Sequence, residues 1–317
     1  MSRGTHVASS RKKWLIQEAQ SLGFAQVGVS RAAFLDEEAD RLETWLKRGY
    51  AGEMAYLERN VDLRLDPRKL VPGAKSVVSL LFNYHNPDRS KTTDTPRIAS
   101  YALGEDYHFV LKRKLKDLMK AMQTEWGAVE GRVFVDSAPV HERAWASKSG
   151  LGWVGKNSLL LNQSMGSYFF IAELIIDLEL EPDAPTTDHC GTCTRCLDAC
   201  PTGAIIQPEV VDGSKCISYY TIELRGAIPE PAAKKLGDWM FGCDICQEVC
   251  PWNRHATKHS EAAFEPHDAL LEMTRSDWLD LTEEVFKEVF KGSPVKRTGY
   301  EGLLRNIQAW NSGSANG

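Results

Sequence analysis

Every cysteine of this chain lies between Cys190 and Cys250, and the spacing there limits what the stretch can become. Cys190, Cys193, Cys196 and Cys200 read C-x2-C-x2-C-x3-C before Pro201. Cys243, Cys246 and Cys250 read C-x2-C-x3-C before Pro251, and Cys216 stands alone between the two runs. A short loop with thiolates two residues apart turns three sulfurs toward one inorganic centre, and the proline that follows fixes φ and leads the chain away. The eight thiolates are the number that two [4Fe–4S] clusters need.

The pattern is that of two-cluster bacterial ferredoxins, in which the Cys before Pro crosses to ligate the other cluster. Applied here, one cluster takes Cys190, Cys193, Cys196 and Cys250, and the other takes Cys200, Cys216, Cys243 and Cys246. Zinc also accepts tetrads of thiolates, although it does not demand two Cys-Pro endings in crossed register. A disulfide scaffold is the third reading, and it belongs to short secreted chains.

A chain of 317 residues has room for about two domains. No segment reaches the roughly 18 uncharged apolar residues of a membrane span; the best candidate, Tyr168 to Leu178, is short and broken by Glu173 and Asp177. The amino terminus is polar and basic with no apolar signal core. Thiols gathered for metal suit a reducing compartment, so the expectation is a cytoplasmic protein without membrane contact. The net charge of −5 means that any nucleic-acid partner must meet local basic patches.

Taken in order, Ser10 to Leu22 reads as a helix, with Ser10 as N-cap, an apolar stripe of Trp14, Leu15, Ala19 and Leu22, and Gly23 as the stop. Ala25 to Val29 is a short strand, and Asp36 to Arg48 a second helix that gathers Leu42, Trp45 and Leu46. Arg64 falls in an irregular, Pro-bounded stretch, Ser76 to Phe82 is a buried strand, and Asn86 to Pro96 a loop. A helix over His108 to Trp126 has Leu111, Leu115, Leu118 and Met122 on one face. Lys112, Arg113, Lys114, Lys116 and Lys120 form either a solvated face or a phosphate-contacting one. Val133 to Val135 runs as a strand into Asp136, Ser137 and Pro139 open a helix reaching Lys148, and Ser158 to Leu161 and Tyr168 to Leu178 are strand-like.

The expected fold class is therefore α+β or α/β. It has a mixed-sheet domain over residues 1–180, a ferredoxin-like two-[4Fe–4S] domain over 181–256 and a short helical C-terminal segment over 257–317. No G-x-G-x-x-G or G-x-x-x-x-G-K-[ST] is present to support a dinucleotide site or a P-loop.

Seven segments carry a specific resemblance: DLRLDP (62–67), GEDYH (104–108), FVDSAPVHERAWA (134–146), GLGWVGKNSLLL (150–161), CGTCTRCLDACPTGAI (190–205), KCISYYTIE (215–223) and FGCDICQEVCPWN (241–253). Together they resemble the epoxyqueuosine reductases, cobalamin-dependent enzymes that complete queuosine biosynthesis on tRNA. The resemblance implies removal of an epoxide oxygen at the wobble nucleotide of the anticodon loop, with cobalamin as reactive centre and two [4Fe–4S] clusters feeding it from an external low-potential donor. It makes Asp136 the proton donor, against the alternative of a helix N-cap. It makes Arg64 a cobalamin contact, puts Ala99, Leu160 and Ile171 on the walls around the corrin, and brings the backbone of Asp244 and Ile245 close to the cofactor. Without it, these would read as a surface charge and core residues.

Asp106-Tyr107-His108 supplies the D-x-H of a histidine-ligated corrinoid site, but Leu111 occupies the glycine position. The resemblance likewise implies a base-off cofactor without a His ligand, leaving His108 and His141 as polar neighbours. Tyr219, Tyr220 and Thr221 either shield a cluster or stack a splayed base, and Lys296-Arg297 joins the helix from Lys112 to Lys120 as a candidate tRNA contact. Longer members continue into a helical repeat, so the shorter chain leaves that part of the tRNA grip open. A monomer is expected. Two alternatives stand beside this reading: a reductive dehalogenase-like reductase of a small substrate, and a non-catalytic Fe–S electron carrier.

Overall fold

The apolar runs assemble into one four-stranded antiparallel sheet in the order β1-β2-β7-β4, formed by β1 (Gln26–Arg31), β2 (Ser76–Asn83), β4 (Gly131–Phe134) and β7 (Phe169–Ile176). The computed structural model describes residues 3–87 and 95–314. Most of the loop expected at Asn86 to Pro96 lies outside them.

Alternation along β2 decides which side is covered by what. Val78, Leu80 and Phe82 pack with Leu15 and Ala19 of α1 (Arg3–Ser21), and the stripe of Leu111, Leu115, Leu118 and Met122 on α5 (Tyr107–Trp126) joins the same core. Val77 and Leu81 face the other way, toward Trp145 and Ala146 of α6 (Glu142–Lys148). Each such buried side chain contributes roughly 1.5–3 kcal/mol relative to exposure, which is why the middle strand is buried along nearly its whole length.

Several local expectations shift. α1 begins well before Ser10, whose hydroxyl donates to Val7 O inside the helix. α2 (Asp36–Lys47) forms, yet none of its residues is buried, and Trp45 instead donates its indole N–H to Val211 O. The stretch around Arg64 is helical: α3 (Val61–Leu65) is followed by α4 (Pro67–Leu70), which Asp66 caps by accepting the Arg68 N–H. α5 spans Tyr107–Trp126 and is capped by Asp106. The strand expected from Ser158 shrinks to β6 (Leu160–Leu161), paired with β5 (Trp153–Val154), because Ser158 takes a left-handed φ of 62°.

The mixed sheet is corrected too. The main sheet is antiparallel, and among the described residues the only parallel pairing joins β3 (Arg97–Ile98) to β10 (Trp239–Phe241). That pairing ties the first half of the chain to the cysteine region. The cysteine region holds α7 (Arg195–Ala199), the hairpin of β8 (Ile205–Gln207) and β9 (Val210–Val211), a π-helical turn (Tyr219–Glu223), α8 (Glu230–Ala233) and α9 (Ile245–Glu248).

The last helices, α10 (Asp268–Glu272), α11 (Arg275–Leu279), α12 (Glu283–Val289) and α13 (Gly299–Ser314), pack over β10. One core joins Ile98 and Ala102 with Met240, Phe241, Trp278, Phe290, Ile307 and Trp310, so residues from all three segments share it. Inside, Asn306 Nδ2 donates to Thr221 O at 2.8 Å and Met240 O at 2.9 Å. Arg305 donates to the carbonyls of Tyr220, Leu224 and Gly226. The carboxyl-terminal helix therefore pins the segment between Cys216 and Cys243.

Candidate active site

β4 ends at Phe134 and the chain turns sharply, with Asp136 in the left-handed region at φ 53°. Such a backbone costs on the order of 1–3 kcal/mol outside glycine and persists only where surroundings hold it. Here the Asp136 N–H donates to Glu142 Oε1. The helix expected from Ser137 starts only at Glu142, so Asp136 caps nothing. Its carboxylate turns instead to α5, where the Tyr107 hydroxyl donates to Oδ2 at 2.9 Å and His108 Nε2 lies 3.2 Å from the same oxygen. On its other side, His108 Nδ1 is 2.7 Å from Asp106 Oδ1.

Asp136 faces a cleft of about 2270 Å³. Its side chain keeps 62% of its surface accessible, but that surface looks into the cleft rather than onto open solvent. Burial alone would raise its carboxyl; the hydrogen bond and charge of His108, helped by Tyr107, outweigh this and hold it below the ordinary carboxylate range. Burial also opposes the His108 imidazolium, yet the hydrogen bonds and charges of Asp106 and Asp136 raise it to about 9. Glu142 behaves oppositely, pushed up to about 8 by burial and by the Asp136 charge. His141 is pushed down to about 4 by burial and by Arg64 and Arg143, so it is neutral at pH 7.

Arg64 and His141 both line the cleft, and Arg64 Nε and His141 Nε2 are buried without a hydrogen-bond partner. An unpartnered buried donor costs on the order of 1–3 kcal/mol, so these atoms suit the oxygens of a polar ligand. Asp244 and Ile245 line the same cleft. The Asp244 carboxylate is itself occupied, accepting from Ser100 N at 2.8 Å and Ser100 Oγ at 2.6 Å, which fixes the Cys243–Cys246 loop at the cleft.

The expected wall residues are placed differently. Ala99 packs among Ile217, Leu236 and Trp239, behind Gly242, where an added Cβ would come within 2.6 Å of the Ala99 methyl. Leu160 and Ile171 pack with Leu81, Leu151 and Phe169. None of the three lines the cleft; their neighbours Tyr101, Val154 and Leu159 do. Tyr219 is buried, accepts the Glu53 N–H at 3.0 Å and packs against Gly52, so it shields rather than offers a stacking face. Tyr107, Glu142 and Glu223 at the cleft had no role assigned from the sequence, where the GEDYH and HER segments were the available signal; Arg297, expected as a tRNA contact, is paired with Glu223 there.

All eight cysteines are free thiols, so no disulfide is present. Beyond burial and backbone hydrogen bonds, the thiols that act on one another fall into two sets. Cys196 feels Cys250 and Cys190, and Cys250 feels Cys190 and Cys193. Cys216 feels Cys200, Cys243 feels Cys216 and Cys200, and Cys246 feels Cys216 and Cys243, with Cys196 its weakest neighbour. This grouping runs along the same lines as the crossed tetrads expected from the spacing. Burial pushes the Cys243 thiol up to about 12, and bound iron would draw such a proton off.

Comparison with known proteins follows the same lines. A family described as a 4Fe-4S double cluster binding domain matches residues 189–253, and one described as "Epoxyqueuosine reductase QueG, DUF1730" matches residues 64–137. The epoxyqueuosine reductase of Cellulophaga algicola is 59% identical over 290 residues, which is 92% of this chain and 94% of that protein. That of Escherichia coli (strain K12) is 42% identical over 306 residues, 95% of this chain and 79% of that one. A crystal structure of epoxyqueuosine reductase with a tRNA-Tyr epoxyqueuosine-modified stem loop matches with a TM-score of 0.89 at 32% identity, over 96% of this chain and 81% of that one.

Proposed function

The chain belongs to the epoxyqueuosine reductase family, and on that premise we propose that its cleft converts epoxyqueuosine to queuosine in tRNA, with Asp136 passing protons to the departing oxygen. The observation that carries this reading is one cleft bordered both by Asp136, in a held left-handed turn, and by Asp244 and Ile245 between two cluster cysteines. Cysteine sets Cys190/Cys193/Cys196/Cys250 and Cys200/Cys216/Cys243/Cys246 would each hold a [4Fe–4S] cluster, and a base-off cobalamin would fill the cleft. When bound, these groups supply a low-potential cobalt centre and single electrons to recharge it.

The chain's own residues orient and protonate. Arg64 and His141 offer their unpartnered donors to polar groups of the corrinoid, while Ala99, Leu160 and Ile171 support its walls from behind. Tyr107 and His108 fix the Asp136 carboxylate, and Glu142 fixes its backbone. The protein acts as a monomer in the cytoplasm, where an external low-potential donor supplies electrons; no helix among the described residues is long and apolar enough to cross a membrane. The domain limits of 1–180, 181–256 and 257–317 are retained as a division of labour among corrinoid, clusters and helical closure.

The test is anaerobic reconstitution with iron, sulfide and cobalamin, then nucleoside analysis of tRNA carrying the epoxide. Wild type converts it to queuosine. Asp136→Asn keeps the absorbance of both cofactors and loses at least ~10²-fold in turnover. Unimpaired turnover by that variant would remove Asp136 from the reaction, and an untouched epoxide with wild type would redirect the cleft to a small substrate.

A further inference from the structure

We propose that His108 is the proton source of this site, passing its Nε2 proton through the Asp136 carboxylate to the substrate oxygen, with Asp106 holding the imidazolium in place. The proposal rests on the reading above and extends it to how protons enter. Both ring nitrogens of His108 face carboxylate oxygens, Nδ1 at 2.7 Å from Asp106 and Nε2 at 3.2 Å from Asp136. A neutral imidazole can donate from only one nitrogen, so this geometry calls for the doubly protonated ring. Both carboxylates are engaged as acceptors elsewhere too. Asp106 Oδ1 takes the His108 N–H at 3.0 Å, and Asp136 Oδ2 takes the Tyr107 hydroxyl at 2.9 Å.

The ring cannot swing away freely. It stacks on Tyr107 at 4.2 Å, and Tyr107 stacks on Phe170 at 4.2 Å and 8°. Its place in the first turn of α5 works against a positive charge, since the helix amino end is itself positive. Burial disfavours the charged ring as well, and the two charge-assisted hydrogen bonds with the charges of Asp106 and Asp136 outweigh both effects, leaving the imidazolium raised to about 9. Other charges around the pair are Lys112, which donates to Ser137, Glu142 behind the Asp136 turn, and Arg64 and Arg297 across the cleft.

An ionised Asp136 has no proton of its own to give. As negative charge gathers on the opening epoxide oxygen, the Nε2–H bond breaks and an O–H bond forms on Asp136, which passes that proton on. The imidazole left behind is neutral and still donates from Nδ1 to Asp106. Deoxygenation to an alkene and water takes up two protons with two electrons, the electrons coming from the external donor. The second proton follows the same path once solvent in the cleft has refilled Nε2.

Two measurements test this. In the cofactor-free protein, NMR of ring-labelled histidine should show His108 titrating near 9, and falling toward 6.5 in Asp136→Asn. In the reconstituted enzyme, His108→Gln should lose ~10²-fold in turnover with tRNA affinity unchanged, and wild-type activity should fall as pH rises through about 9. His108→Ala should regain turnover with added imidazole. A His108 that titrates near 6.5, a His108→Gln enzyme with the wild-type pH profile, or a His108→Ala loss that imidazole leaves untouched would each overturn the relay. Failure of wild type to form queuosine would instead strike the functional reading, and the titration would stand apart from it.

Discussion

Glu173 offers the sharpest test of the electrostatics. It sits at the centre of β7 with 0% exposure, facing the α6 side of the sheet. Its two carboxyl oxygens lie 3.0 and 2.9 Å from Ser79 Oγ, and Ser79 Oγ lies 3.3 Å from Ser149 Oγ. One hydroxyl cannot donate to both oxygens at once. Burial, together with the charge of Glu142, pushes this carboxyl well above the ordinary value of 4.5, so the core of the fold favours its protonated form. The sign follows from proton counting. Above the unfolded value of 4.5 the native state binds a proton that the unfolded chain has lost, so stability falls as pH rises. The slope is about 1.4 kcal/mol per pH unit for as long as the buried acid stays protonated.

Glu173→Gln keeps the shape and can still hydrogen-bond Ser79, but it does not titrate. Between pH 5.5 and 7.5 the variant should therefore gain on wild type, by at most about 1.4 kcal/mol, or about 3 °C in Tm, for each pH unit over which the buried acid keeps its proton. Circular-dichroism melts of the cluster-loaded proteins across that range read the difference directly. Parallel profiles for the two proteins, or a variant that loses ground as pH rises, would refute the neutral acid.

Further outcomes follow from the site. Cys250→Ala/Cys190→Ala should keep about half the iron and sulfide of wild type, because both ligands belong to one crossed set, whereas Cys250→Ala/Cys200→Ala should lose nearly all; the reverse pattern in iron analysis and EPR would break the crossed pairing. Arg64→Met should weaken corrinoid uptake by ~10-fold or more in absorbance titrations of the cofactor-free protein, and unchanged uptake would return Arg64 to a structural role. Arg113, Lys116 and Lys120 are exposed along one side of α5. Replacing all three with Gln should weaken tRNA binding and flatten its log–log salt dependence by about 2 to 3, while an unchanged slope would make that side a merely solvated face.

What could be read in advance was what local chemistry dictates. The cysteine spacing carried the double-cluster region, which the 4Fe-4S double cluster binding domain matches over residues 189–253, because three thiolates in a tight loop have few geometries open to them. The apolar run at Ser76 became β2, and the α5 stripe needed only periodicity. Asp136 was visible as the end of a strand, but its state was not. The helix expected at Ser137 starts at Glu142, and the partners that ionise Asp136 come from α5, far away in sequence. Arg64 was assigned to irregular chain because Pro67 looked like a breaker; it is instead N1 of the next helix. Ala99, Leu160 and Ile171 illustrate a different limit, since a sequence match aligns positions without saying which atoms reach the cavity.

The parallel pairing of β3 with β10, and the helices that lock over it, carry a consequence for assembly. A ribosome delivers the amino end first, so Trp278, Phe290 and Trp310 emerge after every thiol has left the exit tunnel. Until they dock, the strand beside Cys243 lacks its cover and the loops stay open to whatever brings iron and sulfide. The order of synthesis thus gives the thiol loops an interval to meet iron and sulfide before the final helices cover the strand beside them.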